Sequence, residues 1–453
     1  MKRRPPARAE GRAGSGPSAG SGRSADSSRS AGGGRSTGSS GSAGRSRRRP
    51  QPVADLATLR RQALARLLRF EAPADAVLRT FFREHPSLGR RDRGDIAESA
   101  FDVLRHRRLY AHLAQSGGGA IEERLLALSA ARRAGQLDTA GLPFAVRYSL
   151  PDWLATALLD RFGPDGAAAL AEVLLTPAPL DLRVNTLKAD AAQVRAALAS
   201  AGIEATPHRL GLPNALRLAG KPALERSAPF ESGWFEVQDA GSQLLAALVA
   251  PRRGQTVVDL CAGAGGKTLA LAAAMRSTGQ IYACDISAQR LLRMRRRLER
   301  SGATNVQPLA IADEHDARLQ RLTARADAVL VDAPCSGTGT LRRNPDLKWR
   351  MMPADVARLA GQQRSILAAA ARLVRPGGCL VYATCSLLPE ENDARVAEFE
   401  AGHPDWRRRD AAEVLAAQGV SLPPAATAGG LLALRPDRDD CDGFFAVRWE
   451  RPK

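Results

Sequence analysis

The sequence predicts an α/β protein built on a doubly wound parallel sheet, preceded by an all-helical part and a small α/β module. Three observations predict it. After about residue 240, five short apolar runs alternate with helical stretches. A glycine-rich segment follows the first of those runs directly. The N-terminal third instead carries apolar residues at three- and four-residue spacing, the period of a helix. A sheet of that kind binds ligands in the crevice beyond the carboxyl ends of its strands. Residues at those ends are therefore the candidates for chemistry.

Taken in order, residues 1–53 read as a disordered basic tail. Residues 1–50 hold 12 Lys or Arg against Glu10 and Asp26, a net +10, with no large apolar residue after Met1. Such a segment cannot bury enough surface to offset its ordering entropy. Residues 54–165 read as a helical domain. Leu59, Ala63, Leu64 and Leu67 form one stripe, and Ala97, Ala100, Phe101 and Leu104 form another, followed by Arg105, Arg107 and Arg108. Asp92 and Asp95 precede that second stripe and suit a helix N-terminus. Residues 166–235 read as a small α/β module, with a strand at Leu180, Leu182 and Val184, a helix over 189–201 and strand-like pieces around Ile203 and Leu216. In 236–453 the runs 256–260, 280–284, 306–311, 327–331 and 379–383 read as buried parallel strands. Helices near 266–276, 287–301, 355–374 and 390–401 separate them.

The formal charge of the 453-residue chain is +19, of which +9 lies outside the first fifty residues. That excess favours an anionic partner, nucleic acid first, although an Arg-rich composition also follows from a GC-rich genome, which the heavy Ala and Arg usage fits. Arg and Gly break every apolar run well short of the ~20 residues that span a bilayer, and no apolar stretch follows the basic N-terminus. The expectation is a cytoplasmic protein that contacts no membrane. The six cysteines form no C-x-x-C pair and the six histidines lie away from them, which argues against a metal site. What remains is buried thiols, or thiols with a chemical task.

Four motifs carry chemistry. The first runs from Val257-Val258-Asp259-Leu260 into Cys261-Ala262-Gly263-Ala264-Gly265-Gly266-Lys267-Thr268. Its glycines let the backbone approach a ligand, and a helix N-terminus favours negative charge. It ends like a phosphate-binding Gly-Lys-Thr loop, but Cys261 stands where that motif needs Gly, and the G-x-G-x-x-G spacing fails too. Alone it indicates a nucleotide-like cofactor. The second is Asp285, about 20 residues on, placed to accept from ribose hydroxyls; Asp313, after the next strand, is placed to reach an adenine amino group. Both also read as simple capping residues. The third and fourth are Asp332-Ala333-Pro334-Cys335-Ser336-Gly337-Thr338-Gly339 and Ala383-Thr384-Cys385-Ser386, each directly after an apolar run. A lone Cys is usually a small buried hydrophobe. Two at neighbouring strand ends, among turn-forming polar residues, point to reaction chemistry.

The third and fourth motifs, followed by Pro389-Glu390-Glu391-Asn392, resemble the RNA cytosine-5 methyltransferases. So do Arg183-Val184-Asn185-Thr186-Leu187-Lys188, Val237-Gln238-Asp239 with Ser242 and Gln243, the segment Arg342-Arg343-Asn344-Pro345-Asp346-Leu347-Lys348-Trp349, and Asp442-Gly443-Phe444-Phe445. Arg91-Asp92-Arg93 and Val103-Leu104-Arg105 resemble the NusB-like domain of the bacterial RsmB type, which methylates 16S ribosomal RNA. The resemblance covers about 54–450. It implies a Rossmann-like class I methyltransferase domain behind an all-α NusB-like domain, S-adenosylmethionine as methyl donor, RNA as partner and a monomer. It implies 16S rRNA as the first expectation for the substrate and tRNA as the second. Cys385 would be the nucleophile, Cys335 would help release the product, and Asp332 would hold the cytosine. Residues 261–267, Asp285, Asp313 and Asp332 would hold the cofactor, and arginines of the N-terminal domains would grip phosphates. DNA cytosine-5 methyltransferases put the nucleophile on the Pro-Cys motif, here Cys335, so the division of labour separates the two classes. A non-catalytic RNA-binding assembly factor and a nucleotide hydrolase are the competing readings. Two departures stand out: Gly263-Ala264 replaces the family's usual Ala-Pro, which is expected to free the loop, and Asn344 replaces a common His.

Overall fold

The computed structural model describes residues 55–115 and 118–453; the expected tail lies outside the described residues. The first helix, Leu56–Leu67, is capped by Asp55, which accepts from the backbone N–H of Thr58 at 2.7 Å. Helices Ala74–Glu84, Arg90–Arg105, Arg107–Leu113 and Ile121–Arg133 follow. Leu59, Leu67, Leu78, Phe81, Ile96 and Leu104 fill the space between the first three helices, as the two stripes require. Asp92 and Asp95 are inside their helix rather than ahead of it. Gly89 caps a start at Arg90, Asp92 folds back to accept from Gly89 N–H at 3.2 Å, and Asp95 pairs with Arg60.

The arginines after that helix do not face solvent as phosphate ligands. Arg105 is buried and donates to the carbonyl of Arg342 at 3.1 Å, while Lys348 and Trp349 donate back to the carbonyls of Arg105 and Leu104 at 2.9 and 2.7 Å. Arg107 lies over the rings of Phe70 and Trp349, and Arg108 donates to the Leu150 carbonyl and pairs with Asp152. Arg105 and Arg107 tie the helical part to segment 342–349, Arg108 is held at 150–152, and that packing is the reason they carry charge without displaying it.

Helix Asp152–Leu174 breaks at Gly163 (φ 68°) and Pro164 and leads into the small module. There β1 (Leu180–Val184), β2 (Ala205–Pro207), β3 (Ala215–Leu218) and β4 (Phe235–Val237) form an antiparallel sheet in the order β2-β3-β1-β4. Helix Ala191–Ser200, with Asp190 and Gln193 as its capping box, buries Val194 and Leu198 with the sheet residues Leu182, Leu216 and Phe235. The sequence showed β4 only as part of a motif, because three residues carry too little alternation to read.

The C-terminal sheet contains β5 (Thr256–Asp259), β6 (Gln280–Asp285), β7 (Val306–Ala310), β8 (Ala326–Asp332), β9 (Val374–Thr384), β10 (Arg407–Arg409), β11 (Leu432–Leu434) and β12 (Phe444–Glu450). The order is β10-β12-β9-β8-β5-β6-β7, with β11 on β12. Strands β5 to β9 are parallel, and β10, β11 and β12 are antiparallel to their neighbours. The five apolar runs are thus the five parallel strands. The chain winds from β5 through β6 to β7 on one side, then returns to β8 and β9 on the other. That reversal opens a crevice over the carboxyl ends of β5 and β8. No helix among the described residues is long and apolar enough to cross a membrane.

Candidate active site

The glycine-rich loop turns out of β5 into helix Gly266–Ala274. Gly265, at φ 85°, caps that helix, and a Cβ there would stand 2.5 Å from Met294 Cγ, so glycine is required on conformation and on space. The loop is not left free by the missing proline. Arg297 donates from Nη1 to the Ala264 carbonyl at 2.8 Å, and Glu236 in turn binds Arg297 and Arg300. Inside the turn, Asp259 is fully buried and accepts from Thr268 Oγ1 at 2.7 Å. Its Oδ1 has no hydrogen-bond partner among the described residues, and burial pushes the carboxyl up to about 7.

Asp285 ends β6. Its Oδ2 accepts from Gly263 N–H at 2.8 Å and its Oδ1 from Ser287 N–H at 2.7 Å. A carboxylate has about four acceptor positions; two are used by these N–H groups, and Arg290 Nη1 stands 3.5 Å from Oδ2 at the wall of the crevice that Asp285 borders. Asp313 is placed differently. It is exposed, accepts from His315 N–H at 2.8 Å and does not line the crevice; the next residue, Glu314, does. Asn344 is also exposed, donates to Thr340 Oγ1 and stands outside the crevice.

The crevice encloses about 600 Å³. Cys261 to Ala264, Gly266, Lys267, Asp285, Asp332, Cys335 and Cys385 all border it, so strand-end position alone brought most of the candidate residues together. Residues the sequence did not single out complete it: Ile286, Arg290, Arg297, Ile311, Gln362 and Ile366. Gln238 and Ser242, from the segment between the small module and the sheet, close it from above the loop. Gln238 accepts from buried Arg183 at 2.7 Å and donates to Ser242 at 3.1 Å. That pairing explains two of the quoted motifs as one contact. Nothing in the sequence could single out Arg290 or Arg297, since helix Ala288–Ser301 holds six arginines and the fold decides which of them border the crevice.

Lys267 Nζ lies 2.7 Å from Asp332 Oδ2. Burial acts to lower its affinity for a proton, but the Asp332 charge more than offsets this, and the group titrates above its ordinary value. Asp332 Oδ1 makes no hydrogen bond among the described residues. Cys335 and Cys385 present their sulfurs to each other at 3.4 Å, and the backbone N–H of Cys385 donates to Cys335 Sγ at 3.3 Å. The contact with Cys385, reinforced by burial, raises the Cys335 thiol well above its usual range. Both are half-buried, whereas Cys284, Cys379 and Cys441 are buried thiols within the core.

The last strand completes this arrangement. β12 pairs with β9 so that Phe445 stands opposite Thr384. Gly443 N–H donates to the Gly339 carbonyl at 2.8 Å, and Gly339 N–H donates to the Cys385 carbonyl at 2.9 Å. A Cβ on Gly339 would lie 2.2 Å from the Gly443 oxygen. Gly339→Ala is therefore expected to lower stability by about 1–3 kcal/mol, read as a fall in thermal midpoint, with loss of activity as the Cys385 loop shifts.

A sheet wound in this order, with a glycine-rich turn and an acidic residue at adjacent strand ends over the reversal, defines a Rossmann-like methyltransferase. Residues 246–450 match the family model for 16S rRNA methyltransferase RsmB/F, and residues 150–225 match the ferredoxin-like domain of the RsmF/B-like methyltransferases. The chain belongs to the RsmB/F methyltransferase family. It is 37 % identical over 316 residues to the probable ribosomal RNA small subunit methyltransferase B of Synechocystis sp., a stretch covering 70 % of each chain. It is 38 % identical over 306 residues to ribosomal RNA small subunit methyltransferase B of Sodalis glossinidius, covering 67 % of this chain and 66 % of that protein. A solved methyltransferase homolog protein from Pyrococcus horikoshii is 28 % identical and superposes with a TM-score of 0.58, covering 70 % of this chain and all of that one.

Proposed function

We propose that the protein transfers a methyl group from S-adenosylmethionine to carbon 5 of a cytosine in 16S rRNA, through a covalent adduct on Cys385. The observation that carries this reading is the pair of sulfurs 3.4 Å apart at the edge of a crevice that also holds the glycine-rich loop. The crevice fits the donor. Its volume is that of a small-molecule site, Asp285 borders it with a carboxylate for ribose hydroxyls, and Ile286 and Ile311 offer apolar faces for a base. Asp259 brings a buried carboxyl with an unpartnered oxygen to the same wall. When bound, S-adenosylmethionine supplies an electrophilic methyl group.

The chain's own residues do the rest. Cys385 Sγ adds to carbon 6 of the base, and the carbon 5–carbon 6 electron pair moves to carbon 5, which becomes nucleophilic. Lys267, whose charge interacts with both Asp332 and Cys385, places a cation near the sulfur while it carries negative charge. Asp332 accepts from the exocyclic amino group and from N3–H, N3 having taken up the proton that the Cys385 thiol gives up on attack. Once carbon 5 carries its methyl group, a solvent base takes the carbon 5 proton, the C–H electron pair restores the carbon 5–carbon 6 double bond, and the carbon 6–sulfur bond breaks with its electrons on Cys385, which leaves as thiolate and recovers the proton held at N3. Cys335 stands beside Cys385 to assist that release. The target nucleotide must be unstacked to enter the crevice.

Bisulfite sequencing of rRNA and tRNA from a deletion strain tests the substrate. One 16S cytosine is expected to lose its protection and to regain it when the gene is restored. A 16S pattern identical to the parent, with a change in tRNA, would move the substrate to tRNA.

A further inference from the structure

Pro389-Glu390-Glu391-Asn392 has no part in the reaction as described above, yet Glu391 is fully buried and Asn392 nearly so, directly behind both cysteine loops. Glu391 Oε1 accepts from the backbone N–H of Ser336 at 2.8 Å and from Gln363 Nε2 at 3.0 Å, and Oε2 accepts from the Ser336 hydroxyl. Gln363 Nε2 also donates to the Pro334 carbonyl at 2.9 Å. Cys335 is thus held on both sides, at Pro334 and at Ser336, by one carboxylate and the amide it binds. Asn392 does the same for the other cysteine. Its Oδ1 accepts from Thr384 Oγ1 at 2.6 Å, and its Nδ2 donates to the Ser386 carbonyl at 2.9 Å, the residues immediately before and after Cys385. Tyr382, in β9, fixes the turn by donating to the Glu391 carbonyl at 2.7 Å.

We infer that Glu391 is the positioning residue of Cys335 and Asn392 that of Cys385, so that one dipeptide sets the separation of the two sulfurs. The inference rests on the covalent mechanism proposed above and adds to it a division of labour between neighbouring residues. Glu391 touches neither crevice nor reacting atoms; its effect passes through the loop that aims Cys335. Side-chain hydrogen bonds to a buried carboxylate are the strong, directional kind. A residue held from both sides has little freedom to drift, and a displacement of about 1 Å at a reacting group costs about 100-fold.

The two halves of the reaction provide the test. Glu391→Gln keeps the shape but replaces one acceptor with a donor, which faces the N–H and O–H donors of Ser336 and Gln363. In single-turnover assays with methyl-labelled S-adenosylmethionine and unmodified 16S rRNA transcript, adduct formation and first methyl transfer are expected within about 3-fold of wild type. Release should slow by about 10- to 100-fold, so that an SDS-resistant protein–RNA complex accumulates. Asn392→Ala should do the reverse, slowing formation with no accumulated complex. Ser336→Ala combined with Glu391→Gln removes one of the opposing donors and should restore part of the release rate, a coupling that general destabilisation would not produce. Gln363→Met, which frees Pro334 and removes one donor to Glu391 while leaving the carboxylate and its Ser336 bonds in place, supplies the same readout should Glu391→Gln fail to fold. Equal slowing of both phases by Glu391→Gln, or turnover like wild type, would overturn the inference. Cys335→Ala is assayed alongside: if it traps the complex while Glu391→Gln does not, this inference fails alone, and if neither traps it, the covalent mechanism itself fails.

Discussion

Cys385→Ala is expected to abolish methyl transfer and covalent capture of RNA together, by about 10⁴-fold or more, while Cys335→Ala still forms the covalent complex and fails to release it. The asymmetry follows from where the sulfurs sit. Cys385 lies directly after β9 and Cys335 three residues after the end of β8, and they meet at 3.4 Å over the crevice. Contact with Cys385 and burial raise the Cys335 thiol, and the gel outcomes, not that direction, assign the two roles. Denaturing gels of each variant with 16S rRNA and S-adenosylmethionine separate the outcomes. A complex formed by Cys385→Ala and not by Cys335→Ala would exchange the two roles and give the order found in DNA cytosine-5 methyltransferases.

Asp332→Asn is expected to cost about 10²- to 10⁴-fold in turnover and to change how stability responds to pH. In the wild type the Asp332 charge raises the Lys267 proton affinity above its ordinary 10.5. That contribution is fully present below pH 10.5 and is lost as pH rises through the higher folded value. Without the carboxylate, burial is left to act on Lys267 with less opposition, and the folded-state value drops below the unfolded one. Stability of the variant should then rise with pH through the window between the two values. Thermal melts from pH 7 to 10, read beside steady-state kinetics, check both effects. A variant with wild-type turnover would remove Asp332 from the reaction.

The parallel strands were legible in the sequence because strands buried on both faces are written as continuous apolar runs, and 256–260 or 327–331 can be little else at that length. Their ends then brought Cys261, Asp285, Asp332 and Cys385 into one crevice without any three-dimensional information. The antiparallel edge was not legible. β10 is Arg407 to Arg409, three exposed arginines, and its place comes from pairing with β12. Asp313 and Glu314 illustrate a finer limit: both follow β7, but Asp313 turns to accept from His315 N–H and Glu314 is the one that lines the crevice. The arginines of 105–108 mislead for a related reason. Composition records their charge, but their partners, backbone carbonyls and aromatic rings more than 200 residues away in segment 342–349 among them, belong to the fold.

The pairing of β12 with β9 has a consequence in time. Gly443 holds Gly339, which holds the Cys385 carbonyl, and Phe444 carries the ring beside Lys267. A ribosome making this chain therefore delivers the glycine-rich loop and both cysteines well before the strand that sets them. Without the β12 segment the chain would keep both cysteines and the glycine-rich loop but lose the contact that holds Gly339 and, through it, the Cys385 carbonyl.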